Sequence, residues 1–286
     1  MDKLNPTEEQ IKAIIDLALA EDTGGGDITS RLLIADELTG RAAIIAKEEG
    51  VLAGGEVARL VFARVEPALK TELPIADGEK VKAGDKVISI TGRLAAILEA
   101  ERTALNFLSR MSGVATETAR YVAQIEGTRA VIADTRKTMP GMRLLDKYAV
   151  RTGGGRNHRL HLGDAVLIKD NHLAALRAQG LSLADIVTRA KDNAPEGITI
   201  EVEVNTAAEA AEAAEAGADI VLLDNMTPEQ MQQAVARLPQ GVRSEASGGV
   251  NLENVHQMAQ TGVDIISIGA LTHSARALDF SLELET

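Results

Sequence analysis

The sequence predicts an α/β protein: an incomplete parallel α/β barrel, resembling the eightfold (TIM-like) kind, preceded by a smaller α+β portion. Three observations carry this. From Arg129 onward, short apolar runs alternate with helical patterns and short loops, and 129–134, 165–169, 198–204, 219–224, 243–246 and 264–268 read as buried strands. Two units echo each other, Ala214-Glu215-Ala216-Gly217-Ala218-Asp219-Ile220-Val221 and Ala259-Gln260-Thr261-Gly262-Val263-Asp264-Ile265-Ile266, each with a glycine closing a helix before a strand. Before Gly92 the rhythm is instead that of short strands divided by turn signals. Repeated βα units with short connections give a parallel sheet, and fewer than eight are clear.

The elements follow in order. Thr7-Glu8-Glu9-Gln10 is a capping box, and Ile11, Ile14, Ile15, Leu17 and Leu19 supply the apolar recurrence of a first helix over residues 7–20. Glu21-Asp22-Thr23-Gly24-Gly25-Gly26-Asp27-Ile28-Thr29-Ser30 lacks regular metal-ligand spacing and reads as a turn. Strands are expected over 41–47 and 86–90, a helix over 56–65, and turns at Asp77-Gly78 and Ala83-Gly84-Asp85. The apolar pattern of 94–125 is helical, with Gly113 dividing it into two helices at a domain boundary. This gives an N-terminal α+β domain over 1–112, a barrel domain over 113–274 and a C-terminal tail, 275–286, packing on the N-terminal domain. In the barrel portion, Thr206-Ala207-Ala208-Glu209 and Thr227-Pro228-Glu229-Gln230 are capping boxes that begin helices, with Pro228 at the first helical position.

A chain of 286 residues with 45% apolar content can bury a sizeable core. Having no cysteine, it cannot form disulfides, thiolate metal sites or cysteine nucleophiles. Met1 to Pro6 shows no basic region leading into an apolar segment, and no apolar run approaches membrane-spanning length, so a cytoplasmic location is expected and no membrane partner. A net charge of -12 with only 2% aromatic residues argues against nucleic acid.

Against that acidity, residues 136–169 hold eight Lys or Arg and two Asp, a local excess of six positive charges. Arg143, Lys147 and Arg151 recur every four residues and read as a solvated helix face. Arg136, Lys137 and Lys169 instead follow Ala130-Val131-Ile132-Ala133 and Ala165-Val166-Leu167-Ile168, so they emerge at strand carboxyl ends, where α/β folds bind ligands. Gly153-Gly154-Gly155-Arg156-Asn157-His158-Arg159 suits a loop whose backbone N–H groups approach an anion.

Strand ends that converge on one mouth gather Arg136, Lys137, His158, Arg159, Lys169, Glu203, Asp224, Ser247-Gly248-Gly249, Ser267-Ile268-Gly269 and His273. Glu201 and Glu203 share a strand face, and Glu203, nearer the carboxyl end, is the choice for the site. A carboxylate in a parallel strand is costly to bury unless paired or metal-bound, which marks Glu203 and Asp224 as functional. The two glycine motifs close the last two strands before helix starts, where barrels commonly cradle phosphate. Fixed cations, a phosphate cradle and two carboxylates form the footprint expected for joining a phosphorylated sugar to an acidic small molecule.

The stretches Asp134-Thr135-Arg136-Lys137-Thr138-Met139-Pro140-Gly141, Gly153 to Arg159, Lys169-Asp170-Asn171-His172, Glu201-Val202-Glu203-Val204, Leu223-Asp224-Asn225 and Glu245-Ala246-Ser247-Gly248-Gly249 resemble, in that order, the quinolinate phosphoribosyltransferase family. The resemblance covers nearly the whole chain, including Glu21-Asp22 and Gly26-Asp27-Ile28-Thr29; Met226 stands where it implies Phe or another bulky apolar residue. It implies an N-terminal α/β domain against an incomplete barrel, a homodimer with active sites between subunits, and Mg2+. It also implies the reaction of quinolinate with phosphoribosyl pyrophosphate to nicotinate mononucleotide, carbon dioxide and pyrophosphate. Carried over by motif, Arg102 reaches into the partner's site, and Arg136, His158, Arg159 and Lys169 hold the quinolinate carboxylates, with Thr135 also in the substrate site. Lys137 meets the donor, Glu203 and Asp224 its ribose or the metal, and the two glycine motifs its phosphate, with His273 also among the substrate-binding residues. Lys137, Glu203 and Asp224 are the expected catalytic residues. A related protein of molybdenum-transport operons shares much of this pattern. A Schiff-base aldolase using Lys169, and a silent binding barrel, are the rival readings from other classes.

Overall fold

The computed structural model describes residues 6–285. Met1 to Asn5, over which the absence of a targeting segment is read, lie outside the described residues, as does Thr286. In chain order the elements are α1 (Glu8–Thr23), α2 (Ile28–Leu33), β1 (Thr39–Ala46), β2 (Gly50–Val51), α3 (Gly55–Val65), β3 (Lys70–Glu72), β4 (Lys80–Val81), β5 (Lys86–Arg93) and α4 (Leu94–Gln124). There follow β6 (Val131–Ala133), α5 (Arg143–Thr152), β7 (Ala165–Ile168), α6 (Asp170–Arg177), α7 (Leu183–Asn193), β8 (Thr199–Val204), α8 (Ala207–Glu215), β9 (Ile220–Asp224) and α9 (Pro228–Val235). The chain ends with β10 (Arg243–Ser247), α10 (Val255–Gln260), β11 (Ile265–Ser267), α11 (Ala270–His273) and β12 (Phe280–Glu285). No helix among the described residues is long and apolar enough to cross a membrane.

Contacts divide the chain into two units, one of residues 1–119, 138–154 and 270–286, the other of 120–137 and 155–269. In the first, α1 is capped as its sequence predicts: Thr7 accepts from the Gln10 N–H and Gln10 reaches back to the Thr7 N–H. Its buried stripe is Ile11, Ile15 and Leu19, while Leu17 departs from the expected apolar face and stands 73% exposed. Of the stretch expected to be a turn, only residues 24–27 are one: Glu21 to Thr23 close α1, and Ile28 to Ser30 open a short helix, α2, that the sequence reading did not include. Gly24 ends α1, and Asp27 caps α2 through the Ser30 N–H. The antiparallel sheet runs β12-β1-β5-β3, and the C-terminal strand pairs along β1 from Arg41↔Glu285 to Ala46↔Phe280. β2 and β4 form a separate two-stranded ribbon.

Two expectations fail in this unit. The pattern over 94–125 is one continuous helix, α4, rather than two. Gly113 is there because a Cβ would lie 2.2 Å from the Arg276 carbonyl oxygen, so the glycine serves close backbone approach and costs the helix only its propensity. The basic face of α5 is not solvated either. Lys147 is 2% exposed, Arg143 donates to Thr138 Oγ1 at 3.1 Å, and the Arg151 guanidinium lies 5.9 Å from the Tyr148 ring centroid. The buried Asp146 carboxylate of α5 takes both arms of Arg110 from α4 at 3.0 Å each, and this helix belongs to the first unit although it follows β6.

In the second unit six strands form one parallel sheet in the order β6-β11-β10-β9-β8-β7, with β6 and β7 at its two ends. The expected strands are thus present, and the barrel is incomplete. One face of these strands is aliphatic: Ile200, Val202, Val204, Val221, Leu223 and Ala246 are each at most 1% exposed. Gly217 (φ 103°) and Gly262 (φ 89°) take the left-handed conformation that lets a helix end and the next strand begin. Ser182, Thr206 and Thr227 cap α7, α8 and α9.

Candidate active site

The parallel register brings the ends of the strands to one edge. Ser247 of β10 lies opposite Asp224 of β9, Val204 of β8 opposite Leu223, and Ser267 of β11 opposite Ala133 of β6. The segment after β6 carries Asp134, Thr135, Arg136 and Lys137, and Lys169 follows β7 directly. Arg136, Lys137, His158, Arg159, Lys169, Glu203, Asp224 and both glycine motifs therefore belong to the second unit, together with Thr135.

The loop carrying His158 and Arg159 is stitched to the end of β6. Backbone groups of Ile132, Asp134 and Arg156 pair across it, and the buried Asp134 carboxylate accepts from the His158 N–H at 2.8 Å and from Asn157 Nδ2 at 2.7 Å. Arg159 is half-buried and donates to the Ala165 carbonyl at 3.0 Å. Burial lowers its pKa first, and the Arg136 guanidinium lowers it further, against the opposing pull of Glu201 and Asp164. Two half-buried guanidiniums that repel one another are an arrangement suited to holding an anion. The exposed Lys137 donates its backbone N–H to Thr135 Oγ1 at 3.0 Å, so the Thr135 hydroxyl shapes the turn that presents the lysine.

The opposite character gathers on β8 and β9. Glu203 is half-buried, and burial raises its pKa, followed by the charges of Asp224 and Asp170; Lys169 opposes the rise. Asn225, with φ 51° the sole positive-φ non-glycine among the described residues, donates through Nδ2 to Asp224 at 2.7 Å and through its N–H to the Ser247 carbonyl. Gly248 packs against this turn: at φ 92°, an added Cβ would lie 2.2 Å from Asn225 Oδ1 and 3.0 Å from its backbone nitrogen. With Gly249 at φ 61°, the end of β10 is an open backbone concavity of the kind that takes anions. The two glycine motifs differ, however. Gly269 leads straight into α11, whereas Gly249 is followed by a turn in which Asn251 Oδ1 accepts the Glu253 and Asn254 N–H groups, and α10 starts only at Val255.

Arg102 and His273 lie in the first unit, both exposed; His273 Nδ1 is 2.6 Å from Ser274 Oγ. Of the glycine triplet, Gly153 is a packing residue, since a Cβ there would meet the Ala115 carbonyl oxygen of α4 at 2.3 Å. Lys169 is exposed, and its charge acts on the Glu203 carboxylate.

Sequence reasoning passed over the floor of the edge. Glu201 and Glu245, each 1% exposed, face His158 Nε2 at 3.0 and 3.5 Å, and Ser267 donates to Glu245 at 2.5 Å. Burial and then the Glu201 charge push Glu245 up to about 7. The signal was present: Glu245 in Arg243-Ser244-Glu245-Ala246-Ser247 is a carboxylate inside a parallel strand, the same argument that singled out Glu203.

The chain is similar to known proteins along nearly its whole length. Residues 27–112 match the N-terminal domain of quinolinate phosphoribosyl transferase and residues 114–283 its C-terminal domain. A probable nicotinate-nucleotide pyrophosphorylase [carboxylating] of Bacillus subtilis is 38% identical over 275 residues, covering 96% of this chain and 93% of the relative. Quinolinate phosphoribosyltransferase [decarboxylating] 1b of Nicotiana tabacum is 41% identical over 298 residues, covering 99% of this chain and 84% of the relative. The structure of the nicotinate-nucleotide pyrophosphorylase from Francisella tularensis superimposes with a TM-score of 0.92 at 38% identity, covering all of both chains.

Proposed function

The chain belongs to the quinolinate phosphoribosyltransferase family, and we propose that the carboxyl edge of its parallel sheet performs that family's transfer with the residues described above. In the reaction, the quinolinate ring nitrogen attacks C1 of phosphoribosyl pyrophosphate and pyrophosphate leaves. The bond from C2 of the ring to its carboxylate then breaks, the electron pair stays on C2 and is taken up by a proton, and carbon dioxide and nicotinate mononucleotide result. The observation that carries the reading is the separation of charge along one edge: paired guanidiniums at β6 and its loop, paired carboxylates at β8 and β9.

Arg136, Arg159 and Lys169 hold the two carboxylates of quinolinate; the mutual repulsion of the two guanidiniums is relieved when a dianion binds. Glu203 and Asp224 face the sugar, where the displacement passes through an oxocarbenium-like state whose positive charge they stabilise. Lys137 meets the departing pyrophosphate, and the backbone at Ser247-Gly248-Gly249 and Ser267-Ile268-Gly269 holds the 5-phosphate. Once the ring nitrogen is quaternary, loss of carbon dioxide needs mainly a fixed ring orientation and little water.

Mg2+ fits the donor set. Glu203, Asp224 and Asp170 offer hard oxygen donors; after burial, the charges of Asp224 and Asp170 raise Glu203, and a divalent cation would offset them. Bound there, it would offset the charge of the pyrophosphate group. The reading includes a homodimer in which Arg102 completes the partner's site, His273 lies on the phosphate side and the enzyme works in the cytoplasm.

The test is to combine the protein with quinolinate, phosphoribosyl pyrophosphate and Mg2+ and to identify the products. Nicotinate mononucleotide and pyrophosphate in equal amounts support the reading. Transfer to nicotinate instead of quinolinate, or borohydride trapping of a carbonyl substrate on Lys169, would refute it.

A further inference from the structure

We propose that Glu201 and Glu245 are positioning residues that hold His158 as its neutral Nε2–H tautomer, so that His158 fixes Arg159 and adds no cation to the substrate site. The inference rests on the reading of this edge as the quinolinate site.

The hydrogen-bond chemistry of the ring requires this tautomer. His158 Nδ1 accepts the backbone N–H of Arg159 at 2.9 Å, so that nitrogen carries no hydrogen. Nε2 lies against carboxylate oxygens, those of Glu201 at 3.0 and 3.3 Å and Glu245 Oε1 at 3.5 Å, and toward these acceptors it is the donor. An imidazolium would put a second N–H against the Arg159 N–H. The side chain is thus a strut: one nitrogen braced on β8 and β10, the other fixing the backbone from which the Arg159 guanidinium projects to the Ala165 carbonyl.

The carboxylate floor fits this part. Two charged carboxylates beside a neutral ring would be a costly burial, yet Glu245 takes the Ser267 hydroxyl on Oε1 and has its buried Oε2 without a hydrogen-bond partner. A neutral Glu245 tolerates that position far better than a charged one, and burial together with Glu201 raises its pKa in that direction. Glu201, the nearer of the two, receives the His158 N–H. His158 itself is 13% exposed in its side chain, so its contacts are made inside the fold.

Long-range nitrogen–proton correlation spectra of the histidine-labelled enzyme at pH 7 test the proposal directly. A protonated Nε2 and a bare Nδ1 for His158, both free and saturated with quinolinate, are expected. A cationic His158, or the Nδ1–H form, in the quinolinate complex overturns it. Glu201→Gln, near-isosteric but able to turn an amide N–H donor toward His158 Nε2, should show mixed tautomers and a quinolinate KM raised roughly tenfold, while kcat and the KM for phosphoribosyl pyrophosphate stay within about twofold. A uniform fall in kcat with unchanged KM values would mark a merely structural group and overturn the assignment. The ligand atoms of His158, Glu201 and Glu245 all lie within 4.8 Å of one another, so an equivalent of zinc bound there would also overturn it. The spectrum of the free protein needs no turnover. A failure of the quinolinate reading and a failure of the tautomer are therefore separate results.

Discussion

Gly248→Ala isolates the phosphate cradle from the rest of the site. The residue sits at φ 92°, and the new methyl would lie 2.2 Å from Asn225 Oδ1, 2.6 Å from its Cγ and 3.0 Å from its backbone nitrogen. The left-handed conformation costs a side chain about 1–2 kcal/mol. Displacing Asn225, which is tied to Asp224 at 2.7 Å and to the Ser247 carbonyl at 2.9 Å, adds an overpacking term of about 1–3 kcal/mol. Part of that strain is relieved by moving the β10 turn, and the backbone N–H groups then no longer converge on the 5-phosphate. The expected outcome is a Tm lowered by roughly 4–16 °C, with the KM for phosphoribosyl pyrophosphate raised at least tenfold and that for quinolinate near wild type. Initial rates with each substrate varied in turn, beside a melting curve, provide the readout. A variant that melts earlier but keeps its KM for phosphoribosyl pyrophosphate would show that the β10 turn is structural and that phosphate binds elsewhere.

Glu203→Gln should slow turnover while leaving quinolinate affinity near wild type, because its carboxylate acts on the sugar and its charge. The same variant should lose most of the thermal stabilisation by Mg2+, which for the wild type reaches about 2.7 kcal/mol at a hundredfold Kd; equal Mg2+ shifts in both proteins would remove Glu203 from the metal site. Glu245 is pushed up to about 7 from a carboxyl's 4.5, so its neutral form contributes stability that is whole below about 4.5 and lost as pH rises through about 7. Melting curves of wild type and Glu245→Gln should therefore diverge from pH 5 to 8, with the wild type losing more, and parallel curves would contradict the shift. Arg102→Ala and Lys169→Ala homodimers should each be nearly inactive, and co-refolding them at equal amounts should restore roughly a quarter of wild-type activity, since half the dimers are mixed and each has one intact site. Mixed dimers that form and stay inactive would place Arg102 in its own chain's site or in none.

Much of this was legible in the sequence because it follows from period and burial. The six strands of the parallel sheet announce themselves as aliphatic runs, and Arg136, Lys169, Glu203 and Asp224 could be placed at their carboxyl ends by counting residues. What escaped depends on distant partners. Gly113 looks like a helix breaker until the Arg276 carbonyl is found against it, and Gly153 looks like a loop glycine until the Ala115 carbonyl is. Lys147 has the spacing of a solvated face and is buried all the same. His158 reads as one more cation in a basic stretch, because the two carboxylates that set its tautomer come from β8 and β10, some forty and ninety residues later. The spacing of charges along a chain says where a site is; the role of each group comes from the neighbours that the sheet brings in.

The chemistry at this edge is tested most directly with quinolinate carrying a labelled carboxyl carbon at position 2. The account predicts labelled carbon dioxide that appears only when phosphoribosyl pyrophosphate is present, matched one for one by pyrophosphate and nicotinate mononucleotide. Carbon dioxide released without the donor, or a ribosylated product that keeps both carboxylates, would contradict it.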